Sequence, residues 1–419
     1  MRRIPRVGLF GNLGSGNIGN DASLEAMLSY LRTEQPRAVV DAMCLGPDTV
    51  RDRYGIPAIA LKAKRFEAGG RAGAGMAGAA GKVIDTVRTA RWVRDHDVVI
   101  VPGMGVLETT QPLRPWQFPY DMFVLCAAGK LFRTKVALAG VGANVSRERL
   151  TRWLFVSAAR MAAYRSYRDA LSRDAMRQQG LDTTRDHVYT DLAFGWPAGC
   201  SEPGDASMVG IGVMDYHGTN DDDRHRAGEI RAMYVAKMQT FIRWLVDGGR
   251  SIRLFIGDTN NSDAIVVAEI MADLRASRPD LDPARVVAEP VSTFAELAQS
   301  MEPAGTVVAT RYHNVICALA LGKPTLSIGY GAKNAAIMAT MGLADYCQMV
   351  NDLDVDRLIR QFTDLERNAT RLRQEIAEHQ AANRALAERQ RAELSEVLFG
   401  SSQPAGLAGP AGVLEQART

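Results

Sequence analysis

The stretch RYHNVICALALGKPTLSIGYGAKN, Arg311 to Asn334, holds an arginine, a histidine and a lysine in one short span. Arg311 and His313 stand two apart just after the apolar run TVVA, and Tyr330 and Lys333 follow a second run, PTLSIG. A guanidinium fork grips carboxylate or phosphate, an ammonium is a compact point charge, and an imidazole exchanges protons near neutral pH. Only eight of the 50 basic residues are lysine and only six residues of the chain are histidine. A lysine kept at 333 in so arginine-rich a chain reads as chosen for its shape. Two apolar runs flanking one helix-length stretch form a β-α-β crossover, whose strands are usually neighbours. His313 and Lys333 are then expected to converge at one edge of a sheet.

Other segments offer partners. YRSYR ends with Arg165 and Arg168, followed by Asp169, so Arg168 either binds an anion or pairs with that aspartate. Asp191 follows the run HVYT and either caps a turn or lines a cleft. Near the N-terminus, GNLGSGNIGND contains Gly14-x-Gly16-x-x-Gly19 straight after an apolar run. Glycines there let a backbone approach phosphate, and a helix N-terminus supplies free N–H groups. A dinucleotide site also needs a ribose-binding acid about 20 residues on. The nearest candidate, Asp48, comes later and past a Gly-Pro. A glycine loop shaping a ligand cleft fits better, with Gly16, Asn17, Gly19 and Asp21 as its contributors. VPGMGVLETT supplies a second glycine turn at Gly103 and Gly105, read as backbone donors for the same edge or as a tight strand-to-helix turn.

The elements that must position these residues follow from the pattern. The chain has 419 residues, 47% hydrophobic and 23% charged, with a net charge of +3. That length favours two domains. The balanced charge, with basic residues spread along the chain, gives no footprint for nucleic acid. Short apolar runs ending near glycine alternate with helical stretches, which implies parallel sheets covered on both faces. The expected fold class is α/β, with two Rossmann-like domains facing across a cleft. The expected boundaries are 1–200 for an N-terminal α/β domain, 201–354 for a C-terminal α/β domain, 355–399 for one long helical segment packing back on both, and 400–419 for a disordered tail. The Gly/Ala-rich segment 67–82 reads as a surface loop or weak helix, or as a flap beside the site. Cys44, Cys126, Cys200, Cys317 and Cys347 are far apart and form no CxxC pair, so no metal site is implied, and Cys44, Cys126 and Cys317, which lie in apolar runs, read as buried, reduced thiols. No apolar run approaches membrane-spanning length, so the expected location is cytoplasmic, with peripheral contact at the inner face of a membrane left open.

Taken together these residues resemble the polysaccharide pyruvyltransferase family over roughly residues 6–350. The resemblance rests on Asn17-x-Gly19, the turn with Gly103 and Gly105, GVGA, Arg168-Asp169-x-x-Ser172, Asp191, Arg311-x-His313 followed by Ala-x-x-x-Gly-x-Pro, and Tyr330-x-x-Lys333. It implies a GT-B-like pair of domains and transfer of a pyruvyl group from phosphoenolpyruvate to a sugar of a glycan or glycolipid, as a ketal, with release of phosphate. Phosphoenolpyruvate is then a co-substrate, and no cofactor or metal is expected. Arg168, Arg311, Lys333 and Tyr330 are the expected donor-binding residues. His313 is the expected proton carrier, and Asp191 or Asp21 orients a sugar hydroxyl. Two other readings stay open, a GT-B nucleotide-sugar glycosyltransferase and a non-catalytic sugar-binding relative. The acceptor sugar, its attachment to lipid and the oligomeric state are not legible in the residues.

Overall fold

A computed structural model describes residues 4–63, 71–109, 115–196, 202–218, 225–259 and 262–400. Two parallel sheets organise the chain. The first contains β1 (Arg6–Gly11), β2 (Val39–Cys44), β3 (Ala58–Ala60), β4 (Val98–Pro102), β5 (Lys135–Val141), β6 (Tyr164–Tyr167) and β7 (His187–Val188). Its helices are α1 (Ile18–Glu34), α2 (Pro47–Tyr54), α3 (Arg71–Arg94), α4 (Phe118–Phe132), α5 (Arg149–Met161) and α6 (Ala170–Gln178). The second sheet contains β8 (Asp205–Gly212), β9 (Ser251–Phe255), β10 (Val286–Ala288), β11 (Ala304–Ala309), β12 (Thr325–Gly329) and β13 (Cys347–Met349). Around it lie α7 (Ala227–Asp247), α8 (Ser262–Ser277), α9 (Phe294–Met301), α10 (Tyr312–Ala320) and α11 (Ala332–Thr340), and α12 (Val355–Arg367) and α13 (Ala369–Leu394) close the chain.

The strand orders are β3-β2-β1-β4-β5-β6-β7 and β10-β9-β8-β11-β12-β13. Both are doubly wound, and their order reverses between β1 and β4 and between β8 and β11. Loops at the carboxyl ends of such strands diverge and leave a crevice. Apolar runs with no polar alternation form the central strands because both faces are covered. All of β4 and β11 is buried, and β5 is buried beyond Lys135.

The halves meet at the glycine loop after β1. Thr259 N–H donates to the Gly16 carbonyl at 2.8 Å, Ile18 N–H to the Gly257 carbonyl at 3.3 Å, and Arg53 to the Ser292 carbonyl at 2.7 Å. Ile18 and Ala22 of α1, with Ala193 and Phe194, belong to the core of the second half. Helix α13 ties the two sheets together. Arg373 donates to the Gly305 carbonyl at 3.0 Å, Gln390 to Ser166 Oγ at 3.0 Å and Arg391 to the Gly195 carbonyl at 2.9 Å.

One local expectation changes. The single helical run expected over 355–396 is two helices meeting at Asn368, whose side-chain amide bonds back to the Asp364 carbonyl at 2.9 Å instead of continuing the run. Within the Gly/Ala-rich segment, residues from Arg71 onward open a helix that continues to Arg94, because alanine propensity outweighs the glycines; 64–70 lie outside the described residues. The turn with Gly103 and Gly105 follows the fourth strand, β4. Residues 401–419 of the expected tail, and Cys200, also lie outside the described residues.

Candidate functional site

Strands β11 and β12 pair in parallel, with Ala309 opposite Ser327, so the helices that follow them start side by side. Helix α10 begins after Arg311 and α11 after Gly331, and neither N-cap makes a side-chain hydrogen bond. His313 and Lys333 lie in these two first turns. The first half contributes Glu108 from the loop after β4, Arg168 from the β6–α6 junction and Asp191 from the turn after β7.

These side chains form one charged group spanning both halves. Arg168 is bonded to Glu108, and its guanidinium lies 3.6 Å from both Asp169 and Asp191. Its fork sits 5.1 Å from the centre of the Tyr312 ring. Lys333 Nζ lies 3.4 Å from the other Glu108 oxygen, and 5.4 and 5.2 Å from the centres of the Tyr312 and Tyr330 rings. The His313 ring stands edge-on to Tyr312 at 5.2 Å. Glu108 therefore bridges a cation from each half.

The glycines explain how so many large side chains fit. A Cβ on Gly105 would lie 2.6 Å from the Glu108 carboxyl carbon, and one on Gly142 would lie 2.4 Å from Glu108 and 2.6 Å from Arg168. A Cβ on Gly19 would lie 1.8 Å from His313 Nδ1. The room left by these glycines is filled by the protein's own side chains. Gly19→Ala must push His313 out of place. The expected result is loss of turnover with the helix content of α1 unchanged by circular dichroism; an alanine variant with wild-type turnover would show that His313 need not sit against α1.

The same geometry argues against a phosphate cradle in the first glycine loop, the reading set second to a loop that shapes a cleft. Asn17 caps α1, accepting from Gly19 N–H at 3.1 Å and Asn20 N–H at 3.4 Å, and the Ile18 N–H is taken by Gly257. The N–H groups of Ile18, Gly19 and Asn20 are thereby already bonded. The Gly16 carbonyl accepts from both the N–H and the hydroxyl of Thr259. Gly103 makes a tight turn, its N–H bonded to the Ala139 carbonyl at 2.7 Å.

Two expected site residues are committed to internal contacts. Asp21 is buried and accepts from Gly14 N–H at 2.8 Å, with Arg53 3.4 Å away, so it braces the loop. Burial raises its pKa, against the Gly14 bond and the Arg53 charge. Arg311 spends its fork on Asp263, at 2.9 and 2.6 Å. Asp263 is fully buried and also accepts the Asp215 and Gly257 N–H groups at 3.0 and 3.1 Å. Asp191 both caps the turn Leu192–Gly195, through Ala193 N–H at 3.0 Å, and faces Arg168. Sequence reasoning missed Glu108, Tyr312 and Asp263. The first is the acid closing VPGMGVLE, and the second lies inside the RYH triplet. Asp263 carried no local signal.

Burial pushes the His313 pKa down to about 4; Asp191 opposes this, and the Arg168 and Lys333 charges reinforce it. The imidazole is therefore neutral at neutral pH. Burial works to raise the Glu108 pKa, but Arg168 and Lys333 prevail and hold it below the ordinary value. Burial likewise opposes the charge on Lys333, yet Tyr330 and Glu108 keep its pKa raised. The site thus offers a neutral proton acceptor and a retained ammonium at the starts of two uncapped helices, with a buried guanidinium over the Tyr312 ring between them. Among the described residues no cluster of three or more His, Cys, Asp or Glu side chains has metal-holding geometry.

Comparison with known proteins bears on this arrangement. Among solved structures the chain resembles S. aureus MnaA with UDP, at 10% identity over 95% of this chain and 98% of that one, TM-score 0.59. It also resembles Anabaena HepE in complex with UDP and glucose, at 14% identity over 95% and 100%, TM-score 0.55. A third is the Neisseria meningitidis UDP-GlcNAc 2-epimerase bound to UDP-GlcNAc, at 13% identity over 93% and 99%, TM-score 0.54. These likenesses establish the fold, a GT-B-type pair of α/β units. No curated protein matches the chain. The family model for polysaccharide pyruvyl transferase matches residues 17–331, which is well over half of the chain, and the chain belongs to that family.

Proposed function

We propose that this member of the polysaccharide pyruvyl transferase family transfers the pyruvyl group of phosphoenolpyruvate to two hydroxyls of a glycan or glycolipid sugar, forming a pyruvate ketal and releasing phosphate. The observation that supports this reading is the pairing of a neutral His313 with a charged Lys333 at two adjacent, uncapped helix starts, facing Glu108 of the other half. Helix N-termini favour anions, so the donor phosphate suits Lys333 and the first-turn N–H groups of α10 and α11. At 3.4 Å the Lys333–Glu108 contact is long for a charged pair, and an incoming phosphate competes for the ammonium. In the reaction a proton is added to C3 of the enol, a sugar oxygen bonds to C2, the C2–O bond to phosphate breaks, and a second hydroxyl closes the ketal. One hydroxyl proton matches the proton gained at C3, and the other leaves with phosphate. His313 carries the proton. Asp191, whose charge acts on His313, is better placed than Asp21 to orient the sugar hydroxyl. The reaction as proposed uses no cofactor.

The test is phosphate release from phosphoenolpyruvate on addition of a sugar acceptor, with UDP-glucose as the control donor because the fold neighbours carry UDP. Release of UDP with no release of phosphate would replace this reading by a nucleotide-sugar transfer. Lys333→Ala is expected to raise the KM for phosphoenolpyruvate, and Lys333→Arg to restore it only in part. The ammonium lies over two aromatic rings, 5.2 and 5.4 Å from their centres, and a wider planar fork with spread charge does not reproduce its compact point charge. An alanine variant with unchanged KM and kcat would move the phosphate site elsewhere.

A further inference from the structure

Exposed apolar side chains gather on one side of the first half. Helix α4 packs between α3 and α5: Tyr120 bonds to Thr86 at 3.1 Å, and Phe123 lies 5.2 Å from Trp153. The outward face of α3 presents Val83, Ile84 and Val87, and that of α5 presents Leu150 and Trp153. Val83 is 64% exposed, Trp153 55% and Leu131, near the end of α4, 73%. Isolated exposed apolar residues are ordinary, but a cluster across adjacent helices marks a surface that binds something. Basic residues accompany them: exposed Arg91 and Arg94 on α3, Lys130 on α4, and Arg149 and Arg160 on α5. The only acids within the three helices, Asp85 and Asp121, are buried. The nearest exposed acids in the chain, Asp95 and Glu148, lie just outside the ends of α3 and α5.

We propose that this outer face of α3, α4 and α5 docks on an anionic lipid bilayer. A tryptophan and aliphatic side chains ringed by arginines, with no exposed carboxylate within the three helices and only Asp95 and Glu148 at their ends, match the interface between acyl chains and acidic headgroups. A second copy of the chain fits less well, because an isologous contact would set this uniformly basic face against itself. No helix among the described residues is long and apolar enough to cross a membrane, so the contact is one of lying on the surface. The face also adjoins the site. Asn144, between Gly142 and the start of α5, accepts from Thr109 N–H at 2.8 Å, next to Glu108. If the function proposed above holds, docking there brings the cleft to a lipid-linked sugar; the docking itself does not rest on that reading.

The experiment is co-sedimentation of the full chain with vesicles of mixed phosphatidylcholine and phosphatidylglycerol, against vesicles of phosphatidylcholine alone, with neither donor nor acceptor present. The wild type is expected to pellet with the anionic vesicles, less so as salt rises. The pair V87S and W153S, and separately the pair R149E and R160E, are expected to weaken binding by about tenfold or more while the thermal midpoint stays near that of the wild type. A wild type that stays in the supernatant overturns the proposal, as do variants that pellet equally well. A dimer in solution that W153S dissociates would assign the face to a second copy instead.

Discussion

A His313→Gln enzyme folds as the wild type does and turns over about 10²–10⁴-fold more slowly, the loss expected when a positioned proton carrier is removed. Glutamine keeps hydrogen-bonding groups near Gly19 but cannot titrate. The pH dependence carries the discriminating result. In the free protein the His313 pKa is pushed down to about 4, with burial the main cause, so the acid limb of kcat/KM is expected near that value. A bound donor sets negative charge beside the ring and favours the imidazolium, so the acid limb of kcat moves to higher pH. If His313→Gln keeps both limbs, the titrating group is another residue. The same shift has a stability consequence. The ordinary value is 6.5 and the folded value about 4, so between them the unfolded chain binds the proton and the folded chain does not. This contribution is present above pH 6.5 and is lost as the pH falls toward 4. The thermal midpoint of His313→Gln should therefore fall less steeply than that of the wild type across this window.

Arg168→Ala loses stability as well as activity. Its side chain is 2% exposed and faces Glu108, Asp169 and Asp191, with side chains 11%, 19% and 4% exposed. Removing the cation leaves Asp169 and Asp191 without this counter-charge and Glu108 with Lys333 alone, which costs about 3–5 kcal/mol for a broken buried pair. The expected reading is a thermal midpoint lower by on the order of 10 °C. Adding Glu108→Gln to Arg168→Ala should recover part of the loss, because the two residues interact directly. Additive losses would show that the pair is not coupled and that Glu108 does not organise the site. The same reasoning applies to Arg311 at its strand tip. Asp263 beneath it is fully buried, so Arg311→Ala also leaves a buried carboxylate without its partner.

Much of the architecture was legible because it depends on local patterns. Continuous apolar runs ending in glycine marked the central strands, and the helix-length stretch between two of them brought His313 and Lys333 to neighbouring strand ends. The spacing of RYH and Tyr-x-x-Lys located the most informative corner of the site. The glycine loops were located too, but what occupies the space beside them was not legible. A glycine in sequence shows that space is left open and says nothing about what fills it. In the folded chain His313 fills the space at Gly19, and Glu108 and Arg168 fill the space at Gly105 and Gly142.

The sequence by itself determined that the chain alternates strand and helix, where its strands end, and which titratable side chains stand at those ends. These are consequences of hydrophobic periodicity and turn chemistry, which act over a few residues. Only the tertiary structure decided which charges neutralise one another. Lys333 meets Glu108 across 225 positions and Arg168 meets Glu108 across 60. Arg311 is withdrawn to Asp263 across 48 positions. Charge attraction has no period along the chain, so ion pairing is set by which strand ends the two sheets bring together. That placement makes Glu108 the link between the halves and leaves His313 neutral in their crevice.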